Sequence, residues 1–189
     1  RDNRLWAADL LRGHPDARVL DAYCFAGGFT VQAALAGAEV TALDRSARAL
    51  ELAEQAAALN GVAERCSFRK SDSFAALEHL GRKGERFHLV VADPPAFVKN
   101  RRDLPQGLRA YRKLARLAAG VVAPGGYLVL CSCSHHVEPA AFLDQISRGL
   151  AEAGRPGRVL RQSGAAPDHP VHPRLPETQY LKAVFLALD

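Results

Sequence analysis

The sequence predicts an α/β fold, a mainly parallel seven-stranded sheet with helices on both faces. Three observations carry that expectation. Short apolar runs alternate along the chain with longer segments of helical period, the pattern of strands joined by crossover helices. Two of the runs, Phe87 to Ala92 and Tyr127 to Cys131, are apolar almost throughout, as strands buried on both faces are. Turns of small residues or proline close the runs, notably Cys24 to Gly28 and Asp93-Pro94-Pro95.

The opening Arg1-Asp2-Asn3-Arg4 reads as a polar loop. Val19 to Tyr23 forms the first strand, Phe29 to Gly37 has helical composition, and a second strand runs from Glu39 to Leu43. Ser46 then caps a helix rich in Ala, Leu and Glu, which Asn60-Gly61 ends through a left-handed residue. Cys66 to Arg69 is a short third strand, Phe74 to Leu80 a helix, and Phe87 to Ala92 the fourth strand, stopped by Pro94 and Pro95. A helix spans about Leu108 to Val122, and Pro124-Gly125-Gly126 turns the chain into a fifth strand from Tyr127 to Cys131. Beyond it come a helix from about Pro139 to Leu150, a strand near Arg158 to Gln162, a proline-rich loop and a last strand from Tyr180 to Leu188.

A chain of 189 residues, 48% hydrophobic and 24% charged, can bury one sizeable core, so a single domain is expected and disordered or fibrous classes are excluded. No apolar run approaches the roughly 20 residues of a membrane span, and no signal-peptide pattern opens the chain, so no membrane partner is expected. Cys24, Cys66, Cys131 and Cys133 suit neither a disulfide framework nor a Cys-x-x-Cys zinc site, which fits a reducing cytoplasm. His135-His136 has no matching ligand cluster, and no metal is assigned. The formal charge of +5 permits a polyanionic partner without requiring one. With no methionine and a polar opening, a processed chain or an excised domain is expected.

Ligands of open α/β sheets bind beyond the carboxyl ends of the strands, so the residues closing each strand are where chemistry is expected. After the first strand, Gly27 and Gly28 let the backbone approach a ligand closely, although a plain tight turn would look the same. The turn is not the Gly-x-Gly-x-x-Gly of nicotinamide sites. Strand two ends at Asp44, where a carboxylate can accept from both ribose hydroxyls or simply begin the next helix. Strand three is followed by Asp72, placed either to accept from an adenine amino group or to cap a helix. A glycine turn and two acids at three successive strand ends outline an adenosine-shaped site, which points to a nucleoside-containing cofactor.

Asp93-Pro94-Pro95-Ala96-Phe97 is the most specific motif in the chain. Consecutive prolines fix the backbone, holding Asp93 and the neighbouring carbonyls in a rigid rim, and Phe97 offers a face for a stacked base. A strand-terminating proline pair with a core Phe is the alternative.

Together Asp21 to Gly28, Leu43-Asp44, Ser71-Asp72, Asp93 to Phe97 and Cys131 to Val137 resemble the class I S-adenosylmethionine-dependent methyltransferases. More narrowly, the proline motif with Cys131-Ser132-Cys133-Ser134 resembles the ribosomal large-subunit RNA cytosine-C5 methyltransferase I family, as do Arg1 to Arg4, Asp168-His169-Pro170 and Pro176 to Lys182. The resemblance covers essentially the whole chain. It implies a Rossmann-like fold and S-adenosyl-L-methionine as cofactor, held by Tyr23, Phe25, Gly27, Gly28 and Asp44 together with Arg45, Asp72, Ser73 and Asp93. It further implies large-subunit ribosomal RNA as substrate, contacted by Pro94, Pro95, Phe97 and Lys99, with Cys133 and Asp93 catalytic. Members of that family also carry an amino-terminal RNA-binding part with a PUA-like domain, so the catalytic domain alone is expected here. Monomer and homodimer both remain open.

Cytosine C5 is a poor nucleophile, but a thiolate adding at C6 turns the ring into an enamine whose C5 attacks an electrophilic methyl. A base then removes the C5 proton and the thiol departs. Cys133, just past the fifth strand, is the expected nucleophile provided it is exposed with a lowered pKa, and it aligns with the nucleophilic cysteine of related RNA cytosine methyltransferases. Cys131 is the second choice, while Cys24 and Cys66 are expected to be small buried hydrophobes. Asp93 can hydrogen-bond the ring and favour protonation at N3. Ala96 stands where two-cysteine relatives carry a second cysteine, so water or another group must accept the C5 proton.

Between Lys99 and Arg116 lie Lys99, Arg101, Arg102, Arg109, Arg112, Lys113 and Arg116 against a single acid, Asp103. They could hold phosphates around a flipped nucleotide, with Tyr111 stacking, or form an ordinary solvated helix face. Three rival functions are a methyltransferase acting on guanine or a small molecule, a nucleotide or nicotinamide module, and a non-catalytic RNA-binding scaffold. The first needs no cysteine, the second lacks its glycine fingerprint, and the third leaves a complete set of cofactor residues without a role.

Overall fold

In the computed structural model, β1 (Arg18–Asp21), β2 (Glu39–Asp44), β3 (Cys66–Lys70), β4 (Phe87–Ala92) and β5 (Val122–Ser132) are parallel neighbours within one sheet. β7 (Lys182–Leu188) runs antiparallel between β5 and β6 (Gly157–Ser163). The order is β3-β2-β1-β4-β5-β7-β6, the mainly parallel seven-stranded sheet that the sequence predicts. The structure describes residues 1–189 apart from Pro176, so that member of the closing motif lies outside the described residues.

Each central strand is buried on both faces, and alternate side chains enter two different cores. Val90, Ala92, Leu128 and Leu130 point toward α4 (Ser73–Arg82), α5 (Leu104–Ala119) and α6 (Pro139–Glu152). Leu89, Val91, Val129 and Cys131 point toward α1 (Asp2–Asp9) and α2 (Gly28–Leu35), with Ala57 of α3 (Ala47–Leu59) on the same side. No helix among the described residues is long and apolar enough to cross a membrane.

Most predicted elements lie within a few residues of their expected bounds, and β4 has the bounds expected. The Ser46 cap forms as expected, its hydroxyl accepting from the Ala49 N–H at 3.2 Å, and Gly61 follows the helix with a φ of 70°. Three expectations need correction. Residues 2 to 9 are helical: Ala7 and Leu11 are buried and Trp6 stands edge-on to Phe185 at 4.7 Å, so tertiary packing orders a segment whose opening residues are polar. α5 begins at Leu104, because proline is tolerated in the first helical turn and Gly107 serves packing rather than a loop. Its buried face, Gly107, Tyr111, Leu114, Ala115 and Ala118, recurs at helical spacing. Finally, β5 starts at Val122, pairing with Phe87 before a register shift absorbs the Pro124-Gly125-Gly126 turn.

Strand order reverses between β1 and β4. The chain passes from β1 outward to β3, then returns to β4 and builds the other half of the sheet. A crevice forms outside the carboxyl ends of strands at such a switch point, which brings the turn after β1 and the rim after β4 to one place.

Candidate functional site

β1 delivers Asp21, fully buried, to the base of this crevice. Its Oδ2 accepts from the Thr30 N–H at 3.1 Å and the Thr30 hydroxyl at 2.7 Å, tying the strand end to α2. The other oxygen, Oδ1, has no partner among the described residues. Burial pushes the Asp21 carboxyl up to about 7, against the opposing pull of the Thr30 hydroxyl and with a contribution from the Asp93 charge. Gly27 has a φ of 80°, and a Cβ on Gly28 would fall 2.6 Å from Cζ of Arg4. The glycine turn is therefore covered by a guanidinium from α1.

In the same turn Phe25 adopts a φ of 46° and is 70% exposed. Left-handed backbone costs a non-glycine residue about 1–2 kcal/mol. The Phe25 N–H is fixed by donating to Asp44 Oδ2 at 3.0 Å. Asp44 Oδ1 accepts from the Ser46 N–H at 2.8 Å, so this carboxylate begins α3 and still keeps free acceptor capacity on both oxygens. Asp72 caps α4 through the Ala75 N–H at 3.1 Å and lies 3.8 Å from Arg45, an exposed ion pair that adds little stability. Ser73 is buried beneath, with its hydroxyl donating to the Ala22 carbonyl. Tyr23 is half-buried and its phenol is raised to about 12 by burial.

On the other wall, Pro94 is buried and Pro95 exposed. Phe97 is half-buried, with ring centroids 4.8 Å from Tyr111 and 6.0 Å from Phe74, so much of it belongs to the core. A buried network fixes the rim to the end of β5. The Ser132 hydroxyl donates to the Tyr111 oxygen at 2.8 Å, Tyr111 and Ser134 share a further bond of 2.8 Å, and Ser134 accepts from the Val98 N–H at 3.1 Å. Tyr111 is only 1% exposed, so the expected stacking role is corrected to an internal brace. Gly107 admits this loop: a Cβ there would collide with Val98 and sit 3.1 Å from the Phe97 carbonyl.

Cys133 sits between two fully buried serines, half-buried itself, with Sγ 3.8 Å from the Pro94 carbonyl oxygen. The geometry thus places its thiol against the proline rim. Its acidity differs from expectation: burial raises the thiol above its ordinary value, the Asp93 charge raises it further, and Lys182 opposes both. Lys182 pairs in register with Ser132, and its Nζ donates to the Ser134 carbonyl at 3.0 Å and the Tyr180 carbonyl at 2.8 Å. Asp93 opens to solvent at the crevice mouth while protein crowds the rest of its carboxyl, which raises it; the Arg4 charge opposes. Cys131 is buried in the core cluster that holds Val129 and Phe185, so its thiol is less accessible than that of Cys133. Cys24 is buried and Cys66 half-buried, with its thiol pushed up to about 11.

The basic run separates into two groups. Arg112 and Arg116 pair with Glu152 at 3.4 and 3.9 Å, and Lys113 pairs with Glu78 at 3.0 Å. Lys99, Arg101, Arg102 and Arg109 are exposed without an ion-pair partner among the described residues. The solvated-face reading therefore fits the helix interior, while the segment following the rim keeps free cations. Three residues that sequence reasoning left without a role, Arg4, Asp21 and Lys182, enter the site through tertiary packing; only their place in the family-like motifs marked them.

A glycine turn, strand-end acids and a proline rim gather around the switch point of this sheet, the seven-stranded arrangement of a class I methyltransferase fold. Residues 13–163 match the model of a family described as "Methyltransferase domain", and the chain belongs to that family. It is 41% identical over 193 residues to the "Ribosomal RNA large subunit methyltransferase" of Deinococcus radiodurans, covering 100% of this chain and 46% of that protein. It is 38% identical over 186 residues to "Ribosomal RNA large subunit methyltransferase I" of Aeromonas hydrophila, covering 97% and 46%. The chain thus spans about half the length of the curated relatives it matches. Among solved structures, a candidate S-adenosylmethionine-dependent methyltransferase from Streptococcus mutans superposes with a TM-score of 0.83 at 20% identity, covering 99% of this chain and 48% of that one. A candidate methyltransferase complexed with SAH gives 0.81 at 21%, covering 98% and 49%.

The cofactor of this family is S-adenosyl-L-methionine, and the residues present fit it. The glycine turn brings bare backbone to the crevice with the Arg4 guanidinium over it, Asp44 keeps free acceptor sites, and Asp21 holds a buried carboxylate oxygen without a partner.

Proposed function

We propose that this domain methylates C5 of a cytosine in large-subunit ribosomal RNA. The observation that carries the reading is the placement of the Cys133 thiol against the Pro94 carbonyl, beside Asp93 and across the switch-point crevice from the glycine turn. When bound, S-adenosylmethionine supplies an electrophilic methyl. Asp44 and Asp72 hold its ribose and adenine, with Arg45, Tyr23 and Phe25 beside them and Ser73 bracing the strand end from below. The cytosine lies on the Pro94-Pro95 rim, whose fixed backbone excludes water from one face, and Phe97 backs it. Lys99, Arg101, Arg102 and Arg109 face the flanking phosphates.

Asp93 hydrogen-bonds the ring at N3. Its surroundings raise the Asp93 carboxyl, which favours the protonated form that can donate to N3, and the proton returns to Asp93 when the thiol departs. Cys133 gives its proton to water, the thiolate forms a bond to C6 as the C5–C6 double bond opens, and C5 takes the methyl with S-adenosylhomocysteine as the leaving group. Water takes the C5 proton, the C6–S bond breaks and the thiolate returns, so no second cysteine is consumed at position 96. Lys182 holds the turn that carries Cys133 and offsets part of the surrounding negative charge.

Large-subunit RNA lacking its modifications is incubated with methyl-labelled S-adenosylmethionine and the protein, and the labelled nucleosides are separated. The expected product is 5-methylcytidine, lost in Cys133→Ala. Label in guanosine that survives Cys133→Ala would replace the cysteine mechanism with transfer to an exocyclic amino group, which needs only Asp93 and the rim carbonyls.

A further inference from the structure

We propose that Arg4 recognises the carboxylate of the cofactor's methionine end, so that α1 completes the cofactor site; this rests on the S-adenosylmethionine reading of the crevice. Strand order fixes how the cofactor lies. With adenine and ribose at the ends of β3 and β2, the rest of a linear nucleoside amino acid extends along the sheet edge toward β1 and β4. There it meets the Gly27-Gly28 turn, and Arg4 stands over that turn. Its Cζ, Nε and Nη1 lie 2.6, 2.7 and 2.9 Å from the position of a Gly28 Cβ.

Among the described residues Arg4 has no ion-pair partner, yet its charge is felt at Asp93 across the crevice. A guanidinium held over a ligand turn without an anion matches an α-carboxylate, which its planar fork can take with two hydrogen bonds. The buried, unpartnered Asp21 Oδ1 supplies the complementary acceptor for the α-ammonium beside it. Both ends of the zwitterion thus find the opposite charge at the glycine turn. Other residues of this segment anchor α1. Trp6 packs on Phe185, Ala7 is buried, and the Asn3 side-chain oxygen accepts from the Ser163 hydroxyl at 2.7 Å, while Arg4 is exposed.

Calorimetric titration separates the two ends of the ligand. S-adenosylhomocysteine carries the amino-acid group, whereas 5′-methylthioadenosine keeps the adenosine and thioether and lacks it. Arg4→Gln should weaken S-adenosylhomocysteine about 30-fold, equivalent to about 2 kcal/mol, and leave 5′-methylthioadenosine within twofold. Arg4→Lys should recover part of the loss. Unchanged S-adenosylhomocysteine affinity in Arg4→Gln, or an equal loss for both ligands, overturns the proposal while leaving the cofactor reading standing. Failure of the folded wild-type chain to bind S-adenosylhomocysteine overturns the cofactor reading and Arg4's role with it.

Discussion

Replacing Asp21 by Asn removes a charge that the free domain holds at a cost to its own stability. The carboxyl moves from an ordinary value of 3.8 to about 7 in the folded chain. Folding therefore takes up a proton between those values, so the folded state is favoured at low pH and loses that advantage as pH rises through 4 to 7 and beyond. Integrated to pH 8, a separation of three units corresponds to about 4 kcal/mol, of which about 2–3 kcal/mol is lost between pH 5 and pH 8. Asn keeps an oxygen for the two Thr30 donors but places an NH2 group where Oδ1 has no partner, at about 1–3 kcal/mol. The two proteins should thus be about equally stable at pH 5, with the variant ahead by about 1–3 kcal/mol at pH 8. Urea unfolding followed by circular dichroism across that range reads the difference directly. A gap between wild type and variant that stays constant from pH 5 to 8 refutes the reasoning, because an ionisation with a raised pKa cannot leave stability independent of pH.

Three other outcomes follow from the same geometry. Asp93→Asn removes the negative charge beside Cys133, so iodoacetamide should alkylate that thiol several-fold faster at pH 7.5, and Lys182→Met should slow it; equal rates in all three proteins contradict the assigned electrostatics. Tyr111→Phe deletes the oxygen that joins Ser132 to Ser134 and should lower stability by about 1–3 kcal/mol. Because the brace also sets the rim, methyl transfer should fall while S-adenosylhomocysteine affinity, measured by calorimetry, is unchanged. In RNA binding followed against salt, each of Arg101→Gln, Arg102→Gln and Arg109→Gln should flatten the logarithmic slope by about 0.7. Arg112→Gln and Arg116→Gln, whose cations are taken by Glu152, serve as controls with no change.

The sheet was readable because its strands carry their own boundaries. β4 is an apolar run closed by prolines, and α3 has a serine at one end and Asn-Gly at the other, so local chemistry and final structure agree. α1 was not readable: its helix depends on Trp6 meeting Phe185, 179 positions away in a strand at the other end of the chain. α5 hid its first turn behind Pro105 and Gly107, residues that mark loops unless packing against Val98 demands them. In the site, the strand-end acids Asp44, Asp72 and Asp93 share the carboxyl edge of the sheet, since topology alone carries them there. What one sequence position cannot reveal is which neighbours fold against it. Tyr111 lies inside the protein because Ser132 and Ser134 reach it, and the Cys133 thiol is raised because Asp93 and burial outweigh Lys182.

The central claim is that Cys133 adds to C6 of the target cytosine, and 5-fluorocytidine tests it most directly. Fluorine at C5 replaces the proton whose loss releases the enzyme, so the adduct persists once the methyl has been transferred. Large-subunit RNA containing 5-fluorocytidine is incubated with the protein and S-adenosylmethionine, then run on a denaturing gel. The expected result is a protein–RNA band that requires S-adenosylmethionine, disappears in Cys133→Ser and yields a cross-linked peptide spanning Ser132 to Ser134. Methylation of unsubstituted RNA by Cys133→Ser at the wild-type rate, with no such band from the wild-type protein, would contradict it.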